Sequence, residues 1–245
     1  MLLANSVMLA FFLAFFGVKI LVCRGGGTGR RTGLKIPRGQ PHESSTLSRG
    51  TKKFMTQKRV FIIHGWGDNG TSHWIPWLKN ELTSRGFEVL TPSMPETETP
   101  KIENWVPTLA KIVGTPDENT FFVGHSIGCQ TIVRYFESLP PSVKTGGAVF
   151  VAGFFKLTDL AEEEKPIAAP WLETPIDTDK VKERTGQLVA IFSDNDHYVP
   201  VLNADIFSKR LGAKTIIEHG RGHFTKKDGV NEVPNALETL LQMTS

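Results

Sequence analysis

A serine flanked by two glycines stands where a run of apolar residues gives way to a helix-like pattern. The segment Phe121–Val133 reads FFVGHSIGCQTIV, and Gly124 and Gly128 each lie two positions from Ser126. A tight turn between a strand and a helix exposes the serine hydroxyl, and the glycines remove side chains that would clash across the turn. The pattern predicts a nucleophilic serine in a nucleophile elbow, with His125 as a filler residue. A tight turn with a passive serine is the alternative.

A second glycine-rich turn follows the first predicted strand, where the sequence reads His64-Gly65-Trp66-Gly67. In hydrolases with the elbow described above, a strand followed by HGxG supplies one backbone N–H of the oxyanion hole, and the residue after the serine supplies the other. We therefore predict that the N–H groups of Trp66 and Ile127 bind the oxyanion. By itself this turn is more typical of an ordinary loop before a helix, and it is the elbow that favours the oxyanion role.

Carboxylates and histidines follow the fifth and sixth predicted strands. Asp194 and Asp196 lie in FSDNDHYVP, and His219 and His223 lie in EHGRGHF. The chain order Ser, Asp, His is that of a catalytic triad on a parallel sheet, whose strands end at one common edge. His223 is predicted to be the base because its glycine-rich loop tip can bring it over Ser126. The spacing leaves both aspartates open as the acid, whereas Asn195 favours a turn that would place Asp196 nearer the elbow and Asp194 nearer the strand end.

Strands and helices alternate after residue 55. The apolar runs that predict strands are Val60–Ile63, Phe87–Leu90, Phe121–Val123, Ala148–Val151, Leu188–Phe192 and Thr215–Ile217. The segments that predict helices are Ser72–Arg85, Ile102–Val113, Ile127–Leu139, Val199–Leu211 and Pro234–Met243. The strands are apolar throughout, which is typical of a parallel sheet covered by helices on both faces. We predict one α/β domain over residues 55–245, with a doubly wound, mostly parallel sheet of six strands.

The connection from Gly153 to Thr185 interrupts this alternation. It is acidic at Glu162–Glu164, contains three prolines and shows little periodicity. Loops of this length are usually functional or disordered. Because it follows the fourth strand at the carboxyl edge of the sheet, we expect it to form a small lid or a wall of the pocket. It lacks the long apolar lid of an interfacially activated lipase.

Residues 1–54 differ from the rest in composition. Residues 1–23 are nearly all apolar and reach the length of about 20 residues that a membrane span requires. The Gly-, Arg- and Ser-rich stretch that follows is predicted to be disordered. Three interpretations stay open: an anchor or signal peptide, an organellar presequence, or an upstream extension without a role. We expect a cytoplasmic protein that meets a membrane only if residues 1–23 are retained as an anchor.

Charge and cysteine content exclude several classes of function. Residues 1–54 hold nine of the 28 Lys and Arg and one of the 25 Asp and Glu, which leaves 19 basic and 24 acidic residues downstream. The remainder is therefore acidic, and we predict no binding of nucleic acid. Cys23 and Cys129 form no metal-binding pattern and suggest no structural disulfide. We predict no metal and no cofactor, and we expect a monomer.

Four segments resemble the small serine hydrolases related to retinoblastoma-binding protein 9. They are RVFIIHGWGDNGTSHWIPWLKNEL, FFVGHSIGCQTIVRYFESLP, AIFSDNDHYVP and HGRGHF, and the similarity spans about residues 58–244. The resemblance implies a compact α/β-hydrolase without a large cap domain and without the usual first two antiparallel strands. It also implies that Ser126, Asp196 and His223 form the triad. His197 departs from the family pattern, in which proline is common at this position.

These observations predict a serine hydrolase. The predicted reaction is the cleavage of a small-molecule ester, as in a carboxylesterase, through a Ser-His-Asp triad and an acyl-enzyme intermediate. An amidase or peptidase with the same triad is one alternative. A protein-binding adaptor on a hydrolase scaffold is the other, because a fold by itself does not guarantee its chemistry.

Overall fold

The computed structural model of the protein describes residues 57–245, so the predictions for residues 1–54 and the boundary at residue 55 lie outside the described residues. The strands are β1 (Arg59–Ile63), β2 (Glu88–Leu90), β3 (Thr120–His125), β4 (Thr145–Val151), β5 (Thr185–Ser193) and β6 (Lys214–Glu218). The α-helices are α1 (Ile75–Ser84), α2 (Ile102–Val113), α3 (Ile127–Ser138), α4 (Lys165–Glu173), α5 (Thr178–Glu183), α6 (Asn203–Leu211) and α7 (Pro234–Met243). A short 3₁₀ helix covers Lys226–Asp228.

The six strands form one sheet in the order β2-β1-β3-β4-β5-β6, and all neighbouring strands are parallel. This confirms the predicted doubly wound α/β sheet. The observed sheet is parallel throughout, whereas the sequence predicted only a mostly parallel one.

Each face of the sheet is covered by helices. Helices α1 and α7 pack on one face, and α2, α3, α5 and α6 pack on the other. In β1, Val60 and Ile62 belong to the core on the face covered by α1 and α7, whereas Phe61 and Ile63 belong to the core on the opposite face. Because both faces are buried, consecutive residues of a strand must all be apolar, which accounts for the continuous apolar runs.

The direction of winding reverses between β1 and β3. From β1 the chain passes to β2 on one side, and the later strands are added on the other side, beginning with β3. The carboxyl ends of the strands at such a reversal border a crevice, which is the usual ligand site of an open parallel sheet. The loop after β1 begins at His64 and the turn after β3 contains Ser126, so both lie at this crevice.

The connection between β4 and β5 contains two helices, α4 and α5, that the sequence did not predict. Two of its prolines fall inside α4, one of them in the first turn, where the missing N–H is not needed. Trp171 anchors α4 to the core: it is buried, and its indole N–H donates to the carbonyl of Pro100 at 2.9 Å. Among residues 57–245, no helix has the length and apolar character that crossing a membrane requires.

Candidate active site

The turn between β3 and α3 holds Ser126 in a strained conformation. Its φ of 52° and ψ of −119° lie outside the regions that side-chain-bearing residues usually adopt. A Cβ atom on Gly124 would stand 2.7 Å from the backbone nitrogen of Cys129, and one on Gly128 would stand 2.4 Å from the carbonyl oxygen of Ile63. The glycines therefore permit a close approach of backbone to backbone, as the sequence predicted for an elbow.

Asp196 and His223 form a pair at the same edge of the sheet, in which the carboxylate is buried and the imidazole is partly exposed. The Asp196 Oδ2 atom lies 2.8 Å from His223 Nδ1, and the Asp196 side chain is 0% exposed. Its other oxygen, Oδ1, accepts the backbone N–H groups of Tyr198 and Val199. These two bonds fix the carboxylate, which in turn accepts the Nδ1 proton of His223. The second imidazole nitrogen is thereby left as a proton acceptor.

Asp194 and His219 form a separate pair at the surface. Asp194 Oδ2 lies 2.7 Å from His219 Nδ1, and the two side chains are 43% and 89% exposed. Asp194 also accepts the N–H of Gly220, and this bond together with His219 lowers the pKa of its carboxyl. The structure therefore pairs each aspartate with a different histidine. His219 is absent from the walls of the cavity that contains Ser126.

Of the two residues predicted to supply the oxyanion hole, Ile127 follows Ser126 in the chain and Trp66 follows Gly65. Gly65 lies against the serine, because a Cβ atom on Gly65 would stand 3.5 Å from Ser126 Cβ. Within residues 57–245, neither the N–H of Trp66 nor that of Ile127 donates a hydrogen bond to another group of the protein. The neighbouring N–H of Gly67, by contrast, donates to the carbonyl of Thr97 at 2.9 Å.

His64 holds the peptide that carries the Trp66 N–H, a role that the sequence did not reveal. It accepts the N–H of Met94 at Nε2 (2.8 Å), so its proton is on Nδ1 and is donated to the carbonyl of Gly65 at 2.7 Å. Burial lowers the pKa of His64, which keeps the ring neutral. The carbonyl of Gly65 and the N–H of Trp66 belong to one rigid peptide plane, so this bond also orients the N–H.

Ser126 and His223 open into a cavity of about 570 Å³. Its apolar wall comes in part from the connection after β4, which places Phe154, Leu157 and Leu160 in the cavity. The expectation that this connection forms a pocket wall agrees with these positions. The connection also contributes Glu164, and the loops after the other strands contribute further wall residues: Trp66 after β1, Glu98 after β2, His197 and Tyr198 after β5, and Thr225 and Lys227 after β6.

Asp68, His73 and His125 form a cluster whose possible metal-binding atoms lie within 4.8 Å of one another. His73 Nδ1 accepts the N–H of Lys226, so its proton is on Nε2 and points to Asp68 at 3.0 Å. A ring nitrogen must offer a lone pair to bind a metal, and His73 Nε2 carries a proton instead. The hydrogen bonding of His73 therefore opposes a metal site in this cluster.

A comparison with known protein families shows to which family the chain belongs. The sequence model of a family described as Serine hydrolase matches residues 60–242. The chain belongs to this family. Its class as a hydrolase and the resemblance stated for its sequence are thereby confirmed.

Among curated relatives, this serine hydrolase is 32% identical to the YdeN protein of Bacillus subtilis (strain 168) over 184 residues, which cover 75% of this chain and 94% of that protein. It is 27% identical over 162 residues to the serine hydrolase RBBP9 of Rattus norvegicus, covering 66% of this chain and 83% of that one.

Solved structures agree with the fold. The crystal structure of the ydeN gene product from B. subtilis matches with a TM-score of 0.72 at 30% identity, over 77% of this chain and 99% of that chain. Est1E from Butyrivibrio proteoclasticus matches with a TM-score of 0.59 at 15% identity, over 77% of this chain and 88% of that chain. At that identity the second likeness shows the α/β-hydrolase fold alone.

Proposed function

We propose that this serine hydrolase cleaves small esters through a triad of Ser126, His223 and Asp196. The observation that carries the proposal is the buried, doubly anchored Asp196 carboxylate at 2.8 Å from His223 Nδ1, with His223 and the strained Ser126 on the wall of one cavity. A non-glycine residue at positive φ costs of order 1–3 kcal/mol. Such a cost is expected where the exposure of a hydroxyl has a use.

The proposed reaction begins with proton transfer from Ser126 Oγ to His223 Nε2. The oxygen then forms a bond to the ester carbonyl carbon, and the N–H groups of Trp66 and Ile127 bind the resulting oxyanion. The carbon–oxygen bond to the alcohol breaks, and the alcohol takes the proton from His223. Water repeats the sequence on the acyl-enzyme, again with His223 as the base, and releases the acid. Asp196 stabilises the imidazolium in both halves.

The cavity supports a small, partly apolar substrate. Phe154, Leu157 and Leu160 offer an apolar surface for an acyl or alcohol group, and the cavity volume matches sites for small molecules. The same triad also hydrolyses amides, so an amidase or peptidase remains the alternative within enzymes. An adaptor on this scaffold would have no use for a strained Ser126 beside an ordered Asp-His pair.

Labelling with a fluorophosphonate probe tests the nucleophile. The wild-type protein should be labelled, and Ser126→Ala should not be labelled while its melting temperature stays nearly unchanged, because the turn does not depend on the hydroxyl. Ser84→Ala, at an exposed serine near the end of α1, is the matched control and should be labelled as the wild type is. Labelling of Ser126→Ala at the wild-type rate would refute the assignment.

A substrate panel then separates ester from amide cleavage. Short-chain p-nitrophenyl esters should be hydrolysed with higher kcat/KM than the p-nitroanilides of the same acids. A preference for the anilides would favour the amidase alternative. A labelled protein inactive on every member of both series would oppose the proposed substrate class.

A further inference from the structure

His125, the residue before Ser126, is bonded to the loop that carries His223. Its side chain is 1% exposed, and its Nε2 atom lies 2.9 Å from the backbone oxygen of His223. A carbonyl oxygen can only accept, so Nε2 carries the proton and donates it. One residue of the elbow therefore holds the main chain of the residue proposed to be the base.

We propose that His125 is a positioning residue for catalysis. Its Nε2–H group donates to the carbonyl of His223, and this bond sets the distance between the imidazole of His223 and Ser126. This inference rests on the proposed function. His125 and Ser126 are consecutive in the chain, so the hydrogen bond from His125 fixes the position of His223 relative to Ser126 with little intervening backbone. The sequence suggested only a filler at this position.

The loop around His223 needs such a bond because its backbone is irregular. Gly222 and Phe224, on either side of His223, have φ values of 52° and 56°. The N–H of His223 donates to Asp228 Oδ2 at 3.0 Å, but Asp228 belongs to the same loop. Two other N–H groups of the loop, those of Gly222 and Lys226, donate to Asn195 and His73. Among residues 57–245, the bond from His125 is the one that joins this loop to the elbow itself.

The imidazole of His125 is suited to this task because it stays neutral. Burial, aided by the charge of the nearby His223, lowers the pKa of His125 to about 3. The two ring centroids are 5.1 Å apart. A second positive charge at this distance would oppose the protonation of His223 that each half of the proposed reaction requires. A neutral N–H donor holds the loop without this cost.

The ring also fills space, so the test must separate the hydrogen bond from packing. His125 contacts the edges of Trp74 and His73, with ring centroids 5.8 and 5.5 Å away. Glutamine places an amide nitrogen as many bonds from Cβ as Nε2 is, whereas asparagine reaches only the position of Nδ1. His125→Gln can therefore keep the bond to His223, His125→Asn cannot, and His125→Phe keeps the packing without the bond.

The experiment measures kcat and KM on the best ester of the panel, with enzyme concentration set by fluorophosphonate titration of active sites. We expect kcat to fall about 10- to 100-fold in His125→Asn and His125→Phe, because small misplacements of a catalytic group cost up to about 10². KM should change by less than about threefold, and His125→Gln should stay within about fivefold of the wild-type kcat. Hydrogen exchange of a peptide spanning residues 219–228 should rise in the Asn and Phe variants and stay near wild type in Gln.

Two results would overturn the positioning role while the wild-type protein is labelled and active. One is a wild-type kcat and wild-type exchange in His125→Asn. The other is an equal loss of kcat in Gln and Asn variants, since the bond would then not be what matters. Hydrogen exchange can be measured without turnover, so these results are distinguishable from failure of the proposed function. The proposed function fails if the probe does not label the wild-type protein, and that result overturns both proposals.

Discussion

Replacement of Asp196 by asparagine should nearly abolish ester hydrolysis, and the structure indicates how. Asp196 Oδ1 accepts two backbone N–H groups, from Tyr198 and Val199, so an oxygen must stay at that position in the variant. The amide nitrogen then takes the place of Oδ2, 2.8 Å from His223 Nδ1. It presents a donor there, which favours the tautomer of His223 with the proton on Nε2.

An imidazole protonated at Nε2 cannot accept the proton of Ser126. In serine proteases the corresponding loss is about 10⁴ in kcat, which equals about 5 kcal/mol of transition-state stabilisation. We expect a fall of this size in Asp196→Asn, measured as kcat on a p-nitrophenyl ester. Circular dichroism should show that the variant is folded, because both N–H groups keep their acceptor.

Asp194→Asn is the matched control because it makes the same chemical change two residues away. Asp194 is half exposed and bonded to His219 rather than to His223. It can act on the reaction only through its field, which water screens, so kcat should fall by less than about tenfold. A larger loss in Asp194→Asn than in Asp196→Asn would refute the reasoning, and so would a loss below tenfold in both folded variants.

Three further predictions follow from other parts of the molecule. Gly128→Ala should lower both the melting temperature and the labelling rate, since its Cβ would stand 2.4 Å from the Ile63 carbonyl oxygen; a variant with wild-type melting would contradict this contact. Burial lowers the pKa of His125 to about 3 in the folded protein, whereas in the unfolded chain His125 takes up a proton near its ordinary pKa of 6.5. The free energy of unfolding should therefore fall between pH 6.5 and pH 5, by about 2 kcal/mol more in the wild type than in His125→Gln, as measured by urea titration; equal falls would contradict it. A chain shortened to begin at Met55 should keep wild-type labelling, because the cavity walls found among residues 57–245 lie between Gly65 and Asp228, and loss of folding on shortening would show otherwise.

The local pattern of residues was sufficient to predict the six strands, five of the seven α-helices among residues 57–245 and the elbow. Continuous apolar runs predict buried parallel strands because both faces of such a sheet are covered. The spacing of Gly124, Ser126 and Gly128 predicts a close approach of backbones because only glycine lacks the Cβ that would clash there. Helices α4 and α5 escaped prediction because their prolines and acidic residues hide a periodicity that rests on a few buried contacts, such as that of Trp171.

Contacts between segments that are distant in the chain could not be predicted from such local patterns. Asp194 and Asp196 differ by two positions in one loop, and their pairing with His219 and His223 depends on how that loop turns against the loop after β6. The strand order β2-β1-β3, which sets the crevice, likewise appears only when the strands pair. The bond from His125 to the His223 carbonyl joins residues 98 positions apart. A hydrogen bond requires two atoms at one place, and that placement comes from the packing of the whole sheet and its helices rather than from the neighbours of either residue in the chain.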